Sequence, residues 1–98
     1  MSYDIHLGEM NRNYTSNVVP LWDAAMPSLN LRDMNGMKGY QCEQQLLAGI
    51  ISLAQNRHMY ESLVRGEGWG DYAGALSVLV ELYGNCVAFP DDEIRVHC

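Results

Sequence analysis

The spacing of the apolar residues changes along this 98-residue chain, and that change constrains the fold more than any other feature. At the two ends apolar and polar residues alternate, as in "SYDIHL" (2–7) and "EIRVHC" (93–98). Because side chains alternate between the two faces of a strand, each segment predicts a short, half-buried strand. Between the ends the apolar spacing becomes three to four residues, which predicts helices.

Four segments between the strands have this helical spacing: about 18–26, 38–55, 58–64 and from 71 towards 90. Pro20 falls in the first turn of the first segment, where a missing N–H is tolerated. Asp71 is a good N-cap for the last one. The stretch 28–39 predicts a turn-rich connection around Asn35-Gly36. The sequence therefore predicts a small single domain (1–98) of the α+β class, with two short terminal strands and three to four helices packed on one face.

The two terminal strands have a consequence for assembly. A two-stranded sheet is marginal in water, so we expect the strands to pair with each other or with another subunit. Exposed strand edges invite pairing across a two-fold axis. We therefore predict a homo-oligomer, either a homodimer or something larger.

Charge and cysteine content narrow the possible partners. The formal net charge is −6, and the six Lys and Arg residues are scattered, which argues against direct nucleic-acid binding. An acidic surface suits docking onto a basic protein face.

We expect no signal peptide and no membrane association, because no run approaches the ~20 apolar residues of a membrane span. Three widely spaced cysteines indicate no disulfide framework, and we interpret Cys42 and Cys86 as buried apolar residues.

The first candidate site is the polar run Asn13-Tyr14-Thr15-Ser16-Asn17, which precedes the first predicted helix. In one interpretation these residues are only a turn and an N-cap for that helix. In the other they form a polar cradle at a helix N-terminus, where free N–H groups and the helix dipole favour an anion such as phosphate. Five such residues exceed what one cap needs, so we favour a ligand contact.

The second candidate site is "GEGWGDY" (66–72), of which Trp69, Gly70, Asp71 and Tyr72 are the proposed ligand-binding residues. Glycines permit close approach, and the two aromatic rings can stack on a base or hold a peptide. The alternative is a compact turn in which Trp69 plugs the end of the core. The segment is not a phosphate loop, because the Gly-Lys-Ser/Thr ending is absent.

Metal binding and catalysis have weaker support. Paired terminal strands would bring Asp4, His6, His97 and Cys98 towards one sheet face, but strand residues of this kind usually face solvent and show no metal-ligand spacing. No serine, cysteine or lysine has the local signature of an activated nucleophile. Four carboxylates considered for catalysis fall on polar helix faces, which are usually just solvated: Asp33, Glu43, Glu61 and Glu81. We therefore expect no metal, no cofactor and no enzymatic activity.

Two motifs carry a resemblance to a known family. "NYTSNVVPLWDAA" and "GWGDYAGALSVLVELYGNC", with "YDIHL" before them and "P…IRV" after, resemble a family of small uncharacterised tailed-phage proteins. The family pattern has a serine directly before the proline, where this chain has Val19, so Ser16 or Asn17 is the expected helix cap here. The resemblance implies a phage origin and the host cytoplasm as the location. It implies no particular activity.

These features lead to three hypotheses. The first is a non-enzymatic phage counter-defence protein that binds a small, nucleotide-like ligand between the polar run and the Gly/Trp segment. The second is an acidic protein inhibitor of a host defence nuclease, resembling an anti-CRISPR. The third is a phage structural or assembly accessory. The polar run favours the first hypothesis, and the acidic balance favours the second.

Overall fold

The computed structural model describes residues 2–63 and 71–97. Two of its short segments are 3₁₀ turns, Ser16–Val18 and Leu31–Met34. The strands and α-helices are, in chain order, β1 (Ser2–Leu7), β2 (Met10–Thr15), α1 (Val19–Ala25), α2 (Gly39–Gln55), α3 (Arg57–Glu61), α4 (Tyr72–Ala88) and β3 (Arg95–His97). This is the small α+β domain that the sequence predicted.

The three strands form one antiparallel sheet in the order β2-β1-β3. Ile5 in the central strand lies opposite Arg12 on one side and Val96 on the other. The two terminal strands therefore pair with each other within one chain. This is the first of the two predicted arrangements, the other being pairing with a second subunit. A central strand paired on both edges is what makes so small a sheet stable.

Strand β2 was not predicted, and this corrects the interpretation of the polar run. Residues 11–15 are strand, not the turn before a helix. The turn lies earlier, at Gly8-Glu9, where Gly8 has a φ of +58°. A positive φ at the first of two loop residues is typical of a tight hairpin, and glycine adopts it without strain.

The helices cover one face of the sheet and leave the other face exposed. Along β1 the buried side chains Tyr3, Ile5 and Leu7 alternate with the more exposed Ser2, Asp4 and His6, as predicted. The buried apolar residues of all three strands and of α1, α2 and α4 form a continuous core. Its largest side chain is Trp22, which is fully buried and donates its indole N–H to the Ala75 carbonyl at 3.1 Å.

Helices α2 and α4 pack against each other in antiparallel orientation. At one end a Cβ on Gly39 would lie 3.1 Å from the Cα of Cys86, so the helices approach closely there. At the other end the buried Tyr72 hydroxyl donates a hydrogen bond to the Leu53 carbonyl. These two contacts fix the register of the helix pair. None of the helices in the described part of the chain is long and apolar enough to cross a membrane.

Candidate functional site

The structure divides the polar run between the two faces of the sheet. Asn13 lies on the exposed face, where its side-chain amide donates to Ser2 Oγ at 3.1 Å and to Asp4 Oδ1 at 2.6 Å. Tyr14 is the next residue along β2, so its side chain lies on the opposite face, towards the helices. One ligand in a single cradle therefore cannot touch both Asn13 and Tyr14.

Tyr14 is the member of the run that reaches the second candidate segment. Its ring lies 6.1 Å from the ring of Trp22, centroid to centroid, and the Arg12 guanidinium lies 5.8 Å from the centre of the Tyr14 ring. Its hydroxyl accepts a hydrogen bond from the Asp71 amide at 3.2 Å. Two segments 57 residues apart thus meet at the start of α4.

The end of the run does not provide the predicted helix cap. Thr15 occupies the N-cap of the 3₁₀ turn, Val18 occupies the N-cap of α1, and neither side chain accepts a cap hydrogen bond. Ser16 and Asn17 lie inside the 3₁₀ turn, so the prediction that one of them caps α1 is wrong. The strand runs directly into that turn, which leaves no extended residue with a polar side chain just before α1.

Asp71 confirms its predicted role as the N-cap of α4, accepting a hydrogen bond from the Gly74 amide at 2.7 Å. Gly74 has no side chain, and a Cβ there would collide with the Tyr14 hydroxyl. The cap matters for ligand chemistry. Because a protein carboxylate already occupies the positive end of α4, a phosphate has no favourable position at that helix end.

Tyr72 is buried, and its ring forms part of a cleft. The guanidinium of Arg57 on α3 lies 5.5 Å from the centre of the Tyr72 ring. Arg57 also forms an ion pair with Glu61, one turn further along α3, at 2.5 Å. The hydrogen bond that Arg57 Nε donates to the Glu61 carboxylate raises the pKa of Arg57 above its ordinary value, which keeps the guanidinium charged.

These residues enclose an open cleft of about 250 Å³ between α3 and the start of α4. Its lining residues are Arg57, Glu61, Asp71, Tyr72 and Ala73. They supply one cation, two carboxylates and an aromatic ring.

Sequence reasoning missed Arg57 and did not assign Glu61 to a site, although opposite charges four residues apart on a helix are a detectable signal. Trp69 and Gly70, also proposed for this site, lie outside the described residues.

A second, more acidic cleft of about 390 Å³ lies at the end of the sheet. Its lining includes His6 and Arg95, which are cross-strand partners in β1 and β3, and the exposed carboxylates of Asp91, Asp92 and Glu93. Asp4 and His97 are also cross-strand neighbours. This agrees with the prediction that pairing of the terminal strands brings these polar residues towards one face of the sheet. Within residues 2–63 and 71–97, no group of three or more His, Cys, Asp or Glu side chains is arranged to hold a metal ion.

The two cysteines of the helix pair are free and buried, as predicted. Burial raises the pKa of the Cys42 thiol to about 11. Burial, with smaller contributions from Cys42 and Glu43, raises the pKa of the Cys86 thiol to about 12. Both thiols therefore stay protonated near neutral pH, a state in which thiols are poor nucleophiles.

Comparisons with protein-family models, with curated proteins and with solved structures give no match to this chain.

Proposed function

We propose that this chain is a non-enzymatic, phage-encoded binder of a small, nucleotide-like ligand, and that the ligand occupies the cleft between α3 and α4. The observation that carries the proposal is the Arg57 guanidinium placed over the Tyr72 ring at an open cleft. A guanidinium beside an aromatic ring offers a planar, cationic surface for a base and for an anionic group. The contact between Tyr14 and Asp71 fixes the adjacent helix start.

The charges around the cleft define which nucleotide fits. The anionic group of the ligand replaces the Glu61 carboxylate as the ion-pair partner of Arg57. The replacement costs little, because exposed ion pairs contribute little to stability. Asp71 and Glu61 repel additional negative charge. The cleft therefore favours a ligand with a planar ring and few phosphate charges, and it disfavours a triphosphate.

Calorimetric titration with nucleoside mono- and triphosphates and with cyclic dinucleotides tests this proposal. We expect binding that weakens at least about tenfold in Arg57→Gln and tightens in Glu61→Gln, because the second change removes the competing carboxylate. Arg32→Gln is the matched control, since it removes the same charge from an exposed arginine elsewhere. Equal affinities in all four proteins, or no binding of any ligand tested, would contradict the proposal.

The biological role follows from the resemblance to tailed-phage proteins. A binder of this kind acts in the host cytoplasm, where it sequesters a nucleotide signal of host defence. In cells that carry such a defence, the wild-type protein is expected to restore phage growth and Arg57→Gln is expected to fail at equal protein level. If both proteins restore phage growth, the counter-defence role does not depend on ligand binding in the cleft.

The acidic cleft favours a second candidate function, inhibition of a basic host defence nuclease. Asp91, Asp92 and Glu93 are consecutive and exposed. Of these three carboxylates, only Glu93 forms an ion pair within the described part of the chain, with Arg95 at 3.7 Å. A dense carboxylate group of this kind can occupy a nuclease surface that otherwise binds phosphates. Asp91→Asn with Asp92→Asn should then abolish a salt-sensitive complex while leaving nucleotide binding intact.

A further inference from the structure

The exposed positions of helices α2 and α4 hold no charged residue. Each helix is 17 residues long and contains one charged residue, Glu43 in α2 and Glu81 in α4. Both are only partly exposed, and Glu81 forms an ion pair with Arg12 at 2.7 Å. The exposed positions of α2 hold only Tyr, Gln, Leu, Ile and Ala, and those of α4 hold only Ala, Ser, Val and Gly. Helix surfaces that face water usually carry charged residues, so these two are unusual.

Large apolar side chains stand out on these surfaces. Tyr40, Leu47 and Ile51 on α2, and Val80 and Val87 on α4, are each between 41% and 53% exposed. They recur at spacings of seven, four and seven residues, which places each set in one row along its helix. The row on α2 is bulky. On α4 the valines alternate with small residues, and a Cβ on Gly84 would meet open space.

The two rows form one continuous surface. Ile50 on α2, and Leu76 and Tyr83 on α4, are half-buried and pack against the core. Helical periodicity places them between the buried and the exposed positions of their helices, along the groove where α2 and α4 meet. The contacts of Gly39 with Cys86 and of Tyr72 with Leu53 set the helix register. In that register Leu47 is level with Val78, less than one turn from Val80. We call this surface the α2/α4 face.

We propose that a second copy of this chain covers the α2/α4 face, so that two helix pairs form an antiparallel four-helix bundle. A two-fold axis parallel to the helices places α2 of one protomer on α4 of its partner at the same level. The bulky row then meets the row of valines and small residues, and Leu47 lies close to Val80 of the partner subunit. The same contact is made twice, as two-fold symmetry requires.

Charge and area both favour a second copy as the occupant. Each chain has a formal net charge of −6, so two copies repel each other over most of their surfaces. The α2/α4 face limits that repulsion, because the partly exposed Glu43 is the one charged residue that α2 brings to it. The five large side chains, each about half exposed, supply roughly half of the about 800 Å² that each partner buries in a stable interface. The small residues and glutamines between them add to that area.

This interface differs from the one that the sequence predicted. Homo-oligomer formation was predicted from the edges of the terminal strands, but β1 and β3 pair within the chain. The outer edges of the sheet now belong to β2 and to β3, which is three residues long. The β3 edge is already covered, because the Val96 amide donates to Asn35 Oδ1 at 2.9 Å and Lys38 forms a β-bridge with Glu93. None of the large apolar side chains named for the α2/α4 face lines either cleft, so a helix-mediated dimer is compatible with either proposed function.

Sedimentation of the purified full-length chain over about a thousand-fold range of concentration tests the proposal. We expect a species of twice the 11.0 kDa chain mass that dissociates on dilution. Leu47→Glu and Val80→Glu should each weaken the dimer by at least about 100-fold, because they bury carboxylates in the interface. Met59→Glu is the matched control, since Met59 is a similarly exposed apolar residue on α3. A monomer at every concentration, or an equal effect of Met59→Glu, would overturn the proposal.

Two further variants test the orientation of the partner. Gly84→Gln should weaken the dimer without disturbing the isolated chain, because a side chain there has open space in one copy. Leu47→Glu mixed with Val80→Lys should form a heterodimer, since the new carboxylate and the new ammonium meet across the interface. Circular dichroism checks that each variant is folded. A mixture that stays monomeric, or a dimer of undiminished strength in Gly84→Gln, would exclude this arrangement of helices.

Discussion

Tyr14 shows how neighbouring residues of one polar run take different roles. Asn13 and Tyr14 are neighbours in the polar run, and both were predicted as ligand contacts. In the structure Asn13 bonds to exposed side chains, whereas Tyr14 contacts Trp22 and the Asp71 amide. Their substitutions should therefore have different effects on folding.

We expect Tyr14→Ala to lower the free energy of unfolding by about 2–3 kcal/mol, because it removes an aromatic ring from the edge of the core. Tyr14→Phe keeps the ring and loses only the bond to the Asp71 amide, so a loss of about 1 kcal/mol is expected. Asn13→Ala should stay within about 0.5 kcal/mol of wild type. Urea unfolding measures all three. Tyr14→Ala as stable as Asn13→Ala would show that the Trp22 contact is unimportant.

The cap at Asp71 gives a second residue-scale prediction. Asp71→Ala should cost about 1 kcal/mol, because the Gly74 amide loses its acceptor and the helix end loses a favourable charge. Asp71→Asn retains the acceptor and is the control that isolates the charge. Denaturant unfolding in low and high salt separates the two contributions. An unchanged midpoint in Asp71→Ala would place the start of α4 elsewhere.

At the scale of single elements, the spacing of apolar residues predicted the strand and the helices whose positions depend on apolar packing alone. β1, α2 and α4 each bury a regular set of side chains, and their predicted positions are confirmed within a few residues. β2 was missed for a physical reason. Its inward positions hold Met10, Arg12 and Tyr14, and two of these carry polar groups that find partners only in the folded chain. Their alternation is therefore invisible to a count of apolar residues.

Helix α4 also provides a matched pair of glycines. Alanine in an exposed helical position is normally more stable than glycine by about 0.5–1 kcal/mol. Gly84→Ala should gain about that amount, since nothing lies within 4 Å of the new Cβ. Gly74→Ala should instead lose stability, because its Cβ would collide with the Tyr14 hydroxyl and lie 2.9 Å from Asp71 Oδ1. Thermal unfolding compares them, and a gain in both would contradict the contact between β2 and α4.

For the whole molecule, the candidate site depends on contacts that the sequence order conceals. The predicted segments around Tyr14 and Asp71 do meet, but through one hydroxyl and one amide and not as a polar cradle. Arg57, the residue on which the proposed function depends most, lies on a short helix of its own. Only the folded chain brings its guanidinium to the Tyr72 ring. Local patterns could not have predicted that pairing, because Arg57 and Tyr72 lie on two different helices and meet only through the tertiary packing.

The central claim is that the cleft between α3 and α4 holds a nucleotide-like ligand. Native mass spectrometry of protein purified gently from phage-infected cells tests it most directly. We expect wild-type protein with an added mass that matches a nucleotide with few phosphates, and the mass of the chain alone for Arg57→Gln prepared in the same way. Wild-type protein that carries no added mass and binds no nucleotide afterwards in calorimetry would contradict the account.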